Sequence, residues 1–95
     1  MNFGYPVFTN SRATIITATN TDATRFDDLP CRLLTIRCRT GSFKILGVNG
    51  ETLDSDGLTL TAASGAIIQL WATNLNQLGY KANAGSDVLE IIRSW

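Results

Sequence analysis

The most restrictive feature of this sequence is a series of short β-branched and apolar segments, interrupted by turn signals about every 8–12 residues. No segment shows a sustained helical periodicity. The clearest alternation lies in residues 42–46, where Phe43 and Ile45 point one way and Lys44 the other. This pattern predicts an all-β protein, a small antiparallel β-sandwich, jelly-roll-like or a small barrel, with about seven short strands.

The strands are predicted from β-branched content, and the connections from Gly, Asn, Asp and Ser. The predicted strands cover residues 12–19, 29–40, 42–46, 58–61, 66–72, 78–82 and 88–95. Residues 20–28 and 47–57 are interpreted as loops, and residues 73–77 as a single helical turn. Residues 78–95 are interpreted as a closing hairpin around a turn at residues 83–87.

Alternation also assigns faces to the predicted strands. In residues 29–40, one face carries Leu34, Ile36 and Cys38, and the other carries Leu33, Thr35 and Arg37. In residues 66–72, one face carries Ile68 and Leu70, and the other carries Ile67, Gln69 and Trp71. Leu58 and Leu60 are expected to point inward.

The 95 residues form one small domain. We expect residues 12–95 to be a single β-sandwich domain and residues 1–11, with Phe3, Tyr5 and Phe8, to be an N-terminal arm. The arm either packs on the core or reaches onto a partner. Because such a chain buries roughly 60–65% of its unfolded surface, formation of an oligomer would enlarge a modest core.

The charge balance limits the possible partners. Eight basic and eight acidic residues give no net charge, so the sequence predicts no nucleic-acid partner. No apolar run approaches 18 residues, and the first residues lack the basic start and apolar core of a signal peptide. We therefore expect neither a membrane partner nor secretion.

Cys31 and Cys38 are the only cysteines. On one strand, seven residues would separate them by about 23 Å and place them on opposite faces. A disulfide needs Cα atoms within about 7 Å. The sequence therefore predicts two free thiols and synthesis in a reducing compartment.

Little in the sequence points to catalysis. The chain has no histidine, which removes the usual general base and the commonest metal ligand. The acidic run at residues 54–57 resembles part of a calcium loop, but with Gly57 at the sixth position the twelfth falls on Ala63 instead of glutamate. We expect a turn there, and no enzyme activity, cofactor or metal.

Aromatic and basic residues are the remaining candidates for binding. Trp71 and Trp95, with Tyr5 and Tyr80, could stack on sugar rings, anchor a protein interface or pack in the core. The arginines at positions 32, 37 and 39 are assigned to alternating faces of one strand. That arrangement favours salt bridges or interface contacts over phosphate binding.

Three stretches, ATRFDDLPCRLLTI, GSFKILG and SDGLTLTAASGAIIQLWATNLNQLGYKANAGSDVLEI, carry a family resemblance. The chain resembles small virion structural proteins of tailed bacteriophages, decoration (cement) proteins among them. Their shared elements fall here on residues 29–36, 41–47 and 74–92, so the resemblance covers about two-thirds of the chain, from Ala23 onward. Asn74-Leu75 replaces the more usual Asp-Leu, and residues 1–22 have no counterpart.

The resemblance implies a virion structural protein, made in the host cytoplasm and carried on the capsid exterior. Its expected partners are the major capsid protein and further copies of itself, as a homotrimer. The candidate partner-binding residues are Phe3, Tyr5, Phe8, Trp71 and Trp95. The alternative is a domain of the tail or fibre that binds carbohydrate through Trp71 or Tyr80.

Overall fold

The computed structural model of the protein describes residues 8–95, which form eight strands and one short 3-10 helix. The strands are β1 (Ser11–Thr17), β2 (Thr24–Arg25), β3 (Leu33–Thr40), β4 (Ser42–Asn49), β5 (Thr52–Thr61), β6 (Ile67–Trp71), β7 (Leu78–Ala82) and β8 (Val88–Ser94). No helix within this part of the chain is long and apolar enough to span a membrane.

The strands form two four-stranded antiparallel sheets, in the orders β1-β8-β3-β6 and β2-β7-β4-β5. Each step along the chain crosses to the other sheet, except the step from β4 to β5. This order is that of a jelly roll. The prediction of a small antiparallel β-sandwich is confirmed, with eight strands instead of about seven because β2 lies within the predicted loop at residues 20–28.

The closing hairpin was predicted wrongly. β7 and β8 belong to different sheets, so residues 83–87 carry the chain across the sandwich. The turn residues indicate a reversal of the chain but not the sheet that the next strand joins. Asp87 links this crossing to the connection between β3 and β4 at Gly41. Its carboxylate accepts hydrogen bonds from the N–H groups of Ser42 (3.3 Å) and Ala84 (3.0 Å).

The predicted loop at residues 47–57 is also wrong, because β4 and β5 continue as a hairpin around Gly50 and Glu51. The pairing skips from Leu46↔Gly57 to Val48↔Leu53, so residues 54–56 bulge out of the ladder. The acidic run that resembled a calcium loop is therefore part of a bulged strand and not a turn.

Gly57, the residue after the bulge, lies where β4 and β5 approach closely. A Cβ at this position would lie 2.0 Å from the backbone oxygen of Ile45, so the two strands approach too closely for any side chain. Leu58, the next residue, pairs with the buried Ile45 but is 56% exposed, because β5 is an edge strand. Leu58 lies on the same face of β5 as the buried Leu60, as expected, but it remains exposed at the edge of the sandwich.

The predicted strand at residues 29–40 begins only at Leu33, after an isolated bridge between Pro30 and Asn74. Cys31 therefore precedes the strand, and strand alternation does not apply to it. Both cysteines are free, as predicted, but both are buried in the same core, so the prediction of opposite faces is wrong.

The core lies between the two sheets. Its fully buried side chains come from the inner faces of β3, β4, β5 and β8, and from the 3-10 helix. They are Leu34, Ile36, Phe43, Leu60, Leu75, Leu89 and Ile91. Alternation along β3 and β6 is as predicted, since Leu34, Ile36 and Cys38 are buried while Ile67, Gln69 and Trp71 are exposed.

The predicted helical turn is present as the 3-10 helix Leu75–Gln77. Asn74 caps it, since its side-chain oxygen accepts the N–H of Asn76 (3.0 Å) and the Gln77 side chain accepts the N–H of Asn74 (3.2 Å). The turn directs the chain into β7.

Candidate binding face

The outer surface of the sheet β1-β8-β3-β6 carries a cluster of exposed apolar side chains. Ile15, Ile67 and Trp71 are 46%, 58% and 66% exposed, and Ile92 is 44% exposed. We call these four residues, together with Ala13, the outer apolar face. Of the five large hydrophobic side chains exposed in residues 8–95, only Leu58 lies elsewhere, so the apolar exposure is concentrated on one surface.

The strand register explains how residues distant in sequence meet on this face. Ile15 pairs with Glu90, which pairs with Arg37, which pairs with Ile67. The neighbouring row on the same side is formed by Ala13, Ile92, Thr35 and Gln69. Adjacent strands are about 4.8 Å apart, so each row spans about 14 Å across the four strands.

A shallow groove of about 240 Å³ runs over these two rows. Its side-chain lining is mostly aliphatic, and its polar part is one ion-pair cluster. The lining residues include Ala13, Ile15, Thr35, Arg37, Ile67, Glu90 and Ile92. A groove with this lining can hold apolar groups beside one charged contact.

Glu90 holds the ion-pair cluster at the centre of the face. Its carboxylate lies 2.7 Å from Nη2 of Arg37 and 3.1 Å from Nε of Arg39. Hydrogen bonds from Arg39 and then Arg37 lower the pKa of Glu90 to about 2. With two guanidinium groups and one carboxylate, the cluster carries one net positive charge, which favours a partner with an acidic side chain opposite it.

The prediction that Arg32, Arg37 and Arg39 lie on alternating faces of one strand is wrong. Positions 37 and 39 are two residues apart on β3 and therefore share a face, as their common partner Glu90 requires. Arg32 lies before β3 and its guanidinium contacts the ring of Phe8, 5.5 Å from the centroid. The expected salt bridges are present at positions 37 and 39.

Trp71 occupies the corner of the face nearest to the start of the described chain. Its ring lies 6.2 Å from the ring of Phe8, at an interplanar angle of 40°. An open cavity of about 400 Å³ adjoins it, lined also by Arg32, Thr73 and Gln77. Phe8 and Trp71, both predicted as partner-binding residues, are thus brought together.

Trp95 lies at the same end of the sandwich. The Cζ atom of Arg93 is 5.0 Å from the centre of the Trp95 ring, and the backbone oxygen of Trp95 accepts the N–H groups of Thr9 (3.0 Å) and Asn10 (2.9 Å). The ring is half-buried instead of fully exposed. Phe3 and Tyr5, the other predicted partner-binding residues, lie outside the described residues.

Tyr80 is partly buried and packs against the core. Its ring lies 4.8 Å from that of Phe26 and 6.0 Å from that of Phe43, both of which are buried. Of the two candidate platforms for sugar stacking, Trp71 is therefore the one whose ring is exposed.

The sequence analysis placed Ile67 with Trp71, and Thr35 with Arg37, on one face of their strands, but it did not identify that face as the outer one or the cluster as a whole. Ile15, Glu90 and Ile92 join it only through the pairing of β1 and β3 with β8. The available signal was the alternation within β8, where Leu89, Ile91 and Arg93 are buried and the residues between them are not.

Residues 8–95 contain no cluster of three or more His, Cys, Asp or Glu side chains with the arrangement of a metal site. The two thiols are buried, and burial raises the pKa of Cys31 and of Cys38. Their environment is that of core residues and not of nucleophiles.

No protein-family model matches the chain, and the search of curated proteins finds no relative. The resemblance to small phage virion proteins therefore stays a prediction from sequence motifs.

Proposed function

We propose that this protein is a structural protein of a tailed-phage virion, a capsid decoration subunit that binds the outside of the head. In this proposal the outer apolar face docks on the major capsid protein, and further copies of the chain complete a homotrimer. The protein acts by binding and not by catalysis, and it stabilises the head because bound subunits favour the assembled state.

The observation that carries the proposal is the outer apolar face. Exposed apolar side chains concentrated on one surface of a small protein indicate an interaction site, since leaving them in water is unfavourable. Ile15, Ile67 and Ile92 lie on regular strands, which hold them in fixed positions before binding. The ion-pair cluster of Glu90 lies among them and supplies polar contacts that can select the partner.

Two further observations support the virion role. Jelly rolls of eight strands are used by viral capsid proteins, although the same architecture also serves lectins and cupins, so this support is an analogy of fold. The sequence resemblance to decoration proteins is independent of that analogy, because it rests on short motifs from Ala23 onward.

The first test is the number of copies of this chain per particle, measured by quantitative mass spectrometry of purified virions. Hundreds of copies in fixed ratio to the major capsid protein are expected for a decoration subunit. A handful of copies would move the protein to the tail or fibre, and complete absence would contradict the virion role.

The second test measures binding of the purified protein to heads that lack it, by co-sedimentation. Ile67→Asn is expected to weaken binding by about 10–100-fold, because a buried aliphatic contact contributes about 1.5–3 kcal/mol. Leu58→Asn is the matched control, since Leu58 is equally exposed but lies on the other sheet. Equal binding by the two variants would exclude the outer apolar face as the docking surface.

The N-terminal arm is tested in the same assay by deletion. Removal of residues 1–11 would also remove the Thr9 and Asn10 hydrogen bonds to Trp95 and the pairing of Ser11 with Ser94. The informative deletion therefore covers residues 1–7, with Phe3 and Tyr5. Loss of head binding by this variant, with an unchanged unfolding midpoint, is the expected result if the arm is an anchor.

The exposed ring of Trp71 favours one alternative, a carbohydrate-binding domain of the tail or fibre. An exposed tryptophan beside the polar side chains of Arg32 and Gln77 is an arrangement that sugar rings can use. Binding on a glycan array that disappears in Trp71→Ala, while Ile15→Ala retains it, would support this alternative over docking through the whole face.

A further inference from the structure

Two arginines face each other at one end of the sandwich. Arg12 on β1 and Arg93 on β8 are cross-strand partners, and Arg93 follows the buried residues Leu89 and Ile91 at alternate positions, so the pair lies on the inner side of the sheet. Directly opposite residues have Cβ atoms about 4.5–5.5 Å apart, and like charges in such a pair are unfavourable. An anionic group beside the two guanidinium groups would offset this repulsion.

Residues 8–95 do not supply that group. The ion pairs among them use Arg37, Arg39 and Lys44, and no carboxylate in this range pairs with either arginine at the sandwich end. Arg93 is only 5% exposed, which makes an uncompensated charge costly.

The contacts of Arg93 leave part of its guanidinium unused. Nη1 donates a hydrogen bond of 2.8 Å to the backbone oxygen of Pro30, and one face of the group lies on the Trp95 ring. The Nε–H group is buried and has no hydrogen-bond partner. A buried donor without an acceptor is rare and indicates a missing partner.

A cavity of about 460 Å³ lies at this position, and of the two arginines that line it Arg12 is exposed. It is lined by Asn10, Arg12, Leu29, Pro30, Arg93 and Trp95. The volume is sufficient for a group of several heavy atoms, and the side-chain charges on its lining are both positive.

We propose that this cavity binds an oxyanion, a carboxylate or a phosphate group, between Arg12 and Arg93. The oxyanion accepts hydrogen bonds from the guanidinium groups of Arg12 and Arg93, because the planar donor fork of arginine matches two oxygens of such a group. The site is separate from the outer apolar face, so it stands or falls independently of the virion role.

The test is thermal unfolding of the full chain in sodium phosphate, sodium acetate and sodium chloride at equal ionic strength. A saturable rise in Tm of roughly 4–8 °C above the chloride value is expected at several-fold excess over the dissociation constant. A rise in phosphate alone assigns the site to a phosphate group, and a rise that acetate also produces assigns it to a carboxylate.

Two variants separate the site from the general effect of salt, since phosphate also stabilises proteins non-specifically. Arg12→Gln is expected to lose the rise, and Lys81→Gln, which removes one positive charge from an exposed position on β7, is expected to keep it. An equal rise in both variants, or equal Tm in chloride and in both oxyanions, would overturn the proposal.

A direct measurement avoids any variant of the buried residue. The Nε–H resonance of Arg93 in a ¹H–¹⁵N spectrum of the unaltered protein is expected to move downfield on addition of inorganic phosphate or acetate, whichever raises Tm. Its midpoint should agree with that of the thermal titration. A resonance that stays fixed while Tm rises would show that the oxyanion binds elsewhere and would also overturn the proposal.

Discussion

At the scale of single residues, Glu90 makes the stability of the fold depend on pH. Arg39 and Arg37 lower its pKa from the ordinary 4.5 to about 2 in the folded protein. A carboxyl group whose pKa is lowered on folding contributes stability that is fully present above its unfolded pKa. That contribution is lost as the pH falls from about 4.5 to about 2, because the folded state then binds the proton less readily than the unfolded state.

The free energy of unfolding of Glu90→Gln is compared with that of the unaltered protein, by urea unfolding from pH 7 to pH 2. The unaltered protein should be the more stable at pH 7, and the difference should shrink between about pH 5 and pH 2. Glu51→Gln, which removes a carboxylate from the exposed β4–β5 turn, is the control. A difference that is constant with pH would mean that the ion pairs contribute nothing through titration of Glu90.

At the scale of an element, Asn74 fixes how the 3-10 helix joins the rest of the fold. Its side-chain oxygen accepts the N–H groups of Asn76 and Leu29, each at 3.0 Å, and its amide nitrogen donates to Asp28 at 2.6 Å. One side chain thus caps the helix and also holds the segment that leads into β3. Leu75, the buried residue of the helix, depends on that position.

We predict that Asn74→Ala lowers the free energy of unfolding by about 1–2 kcal/mol, because two backbone donors lose their acceptor. Urea unfolding monitored by tryptophan fluorescence measures the change. Asn76→Ala is the matched control in the same helix, since the hydrogen bonds of Asn76 are made by its backbone. An equal effect of the two substitutions would contradict the capping role.

The elements also show what the sequence could predict and what it could not. Alternation in β3 and β6 reports local geometry, so the residues that share each face of both strands were grouped correctly, although the sequence did not say which face is buried. The sheet that a strand joins depends on partners far along the chain, and the turn at residues 83–87 carries no information about them. The acidic bulge in β5 was missed because its Asp and Gly residues are also those of ordinary turns.

The candidate site shows the same limit. Trp71 could be singled out as an exposed aromatic residue, but the outer apolar face depends on β1, β8, β3 and β6 lying side by side. Arg12 and Arg93 are 81 positions apart in the sequence and become neighbours only through the register of β1 with β8. Properties that arise from non-local pairing were therefore outside the reach of sequence patterns.

At the scale of the whole molecule, every connection between consecutive strands except β4–β5 runs from one sheet to the other, so the two sheets are joined along most of the chain. The two buried thiols can test whether the sandwich unfolds as one unit. Cys31 precedes β3 and Cys38 lies near its end, so they are at opposite ends of the same core. We expect the fold to unfold as one cooperative unit.

The prediction is that iodoacetamide modifies both thiols at the same rate, at least about 100-fold more slowly than in the urea-unfolded chain. Burial both shields the sulfur atoms and raises the pKa values of the thiols, which lowers the thiolate fraction. Mass spectrometry of the peptides resolves the two sites. Faster modification of one thiol would reveal local opening at that end of the sandwich.

The hydrogen bonds from Thr9 and Asn10 to Trp95 have a practical consequence for engineering. Residues 8–11 and residue 95 lie together at the end that also carries Trp71 and the Arg12–Arg93 cavity, so a group attached at any of these residues lies next to both candidate binding surfaces. The turn at residues 62–65 lies at the opposite end, beside Gly41, and Gly65 there has open space around its Cα. An epitope or a fluorophore inserted at that turn leaves Trp71 and the Arg12–Arg93 cavity free, but it lies next to Ile67 of the outer apolar face.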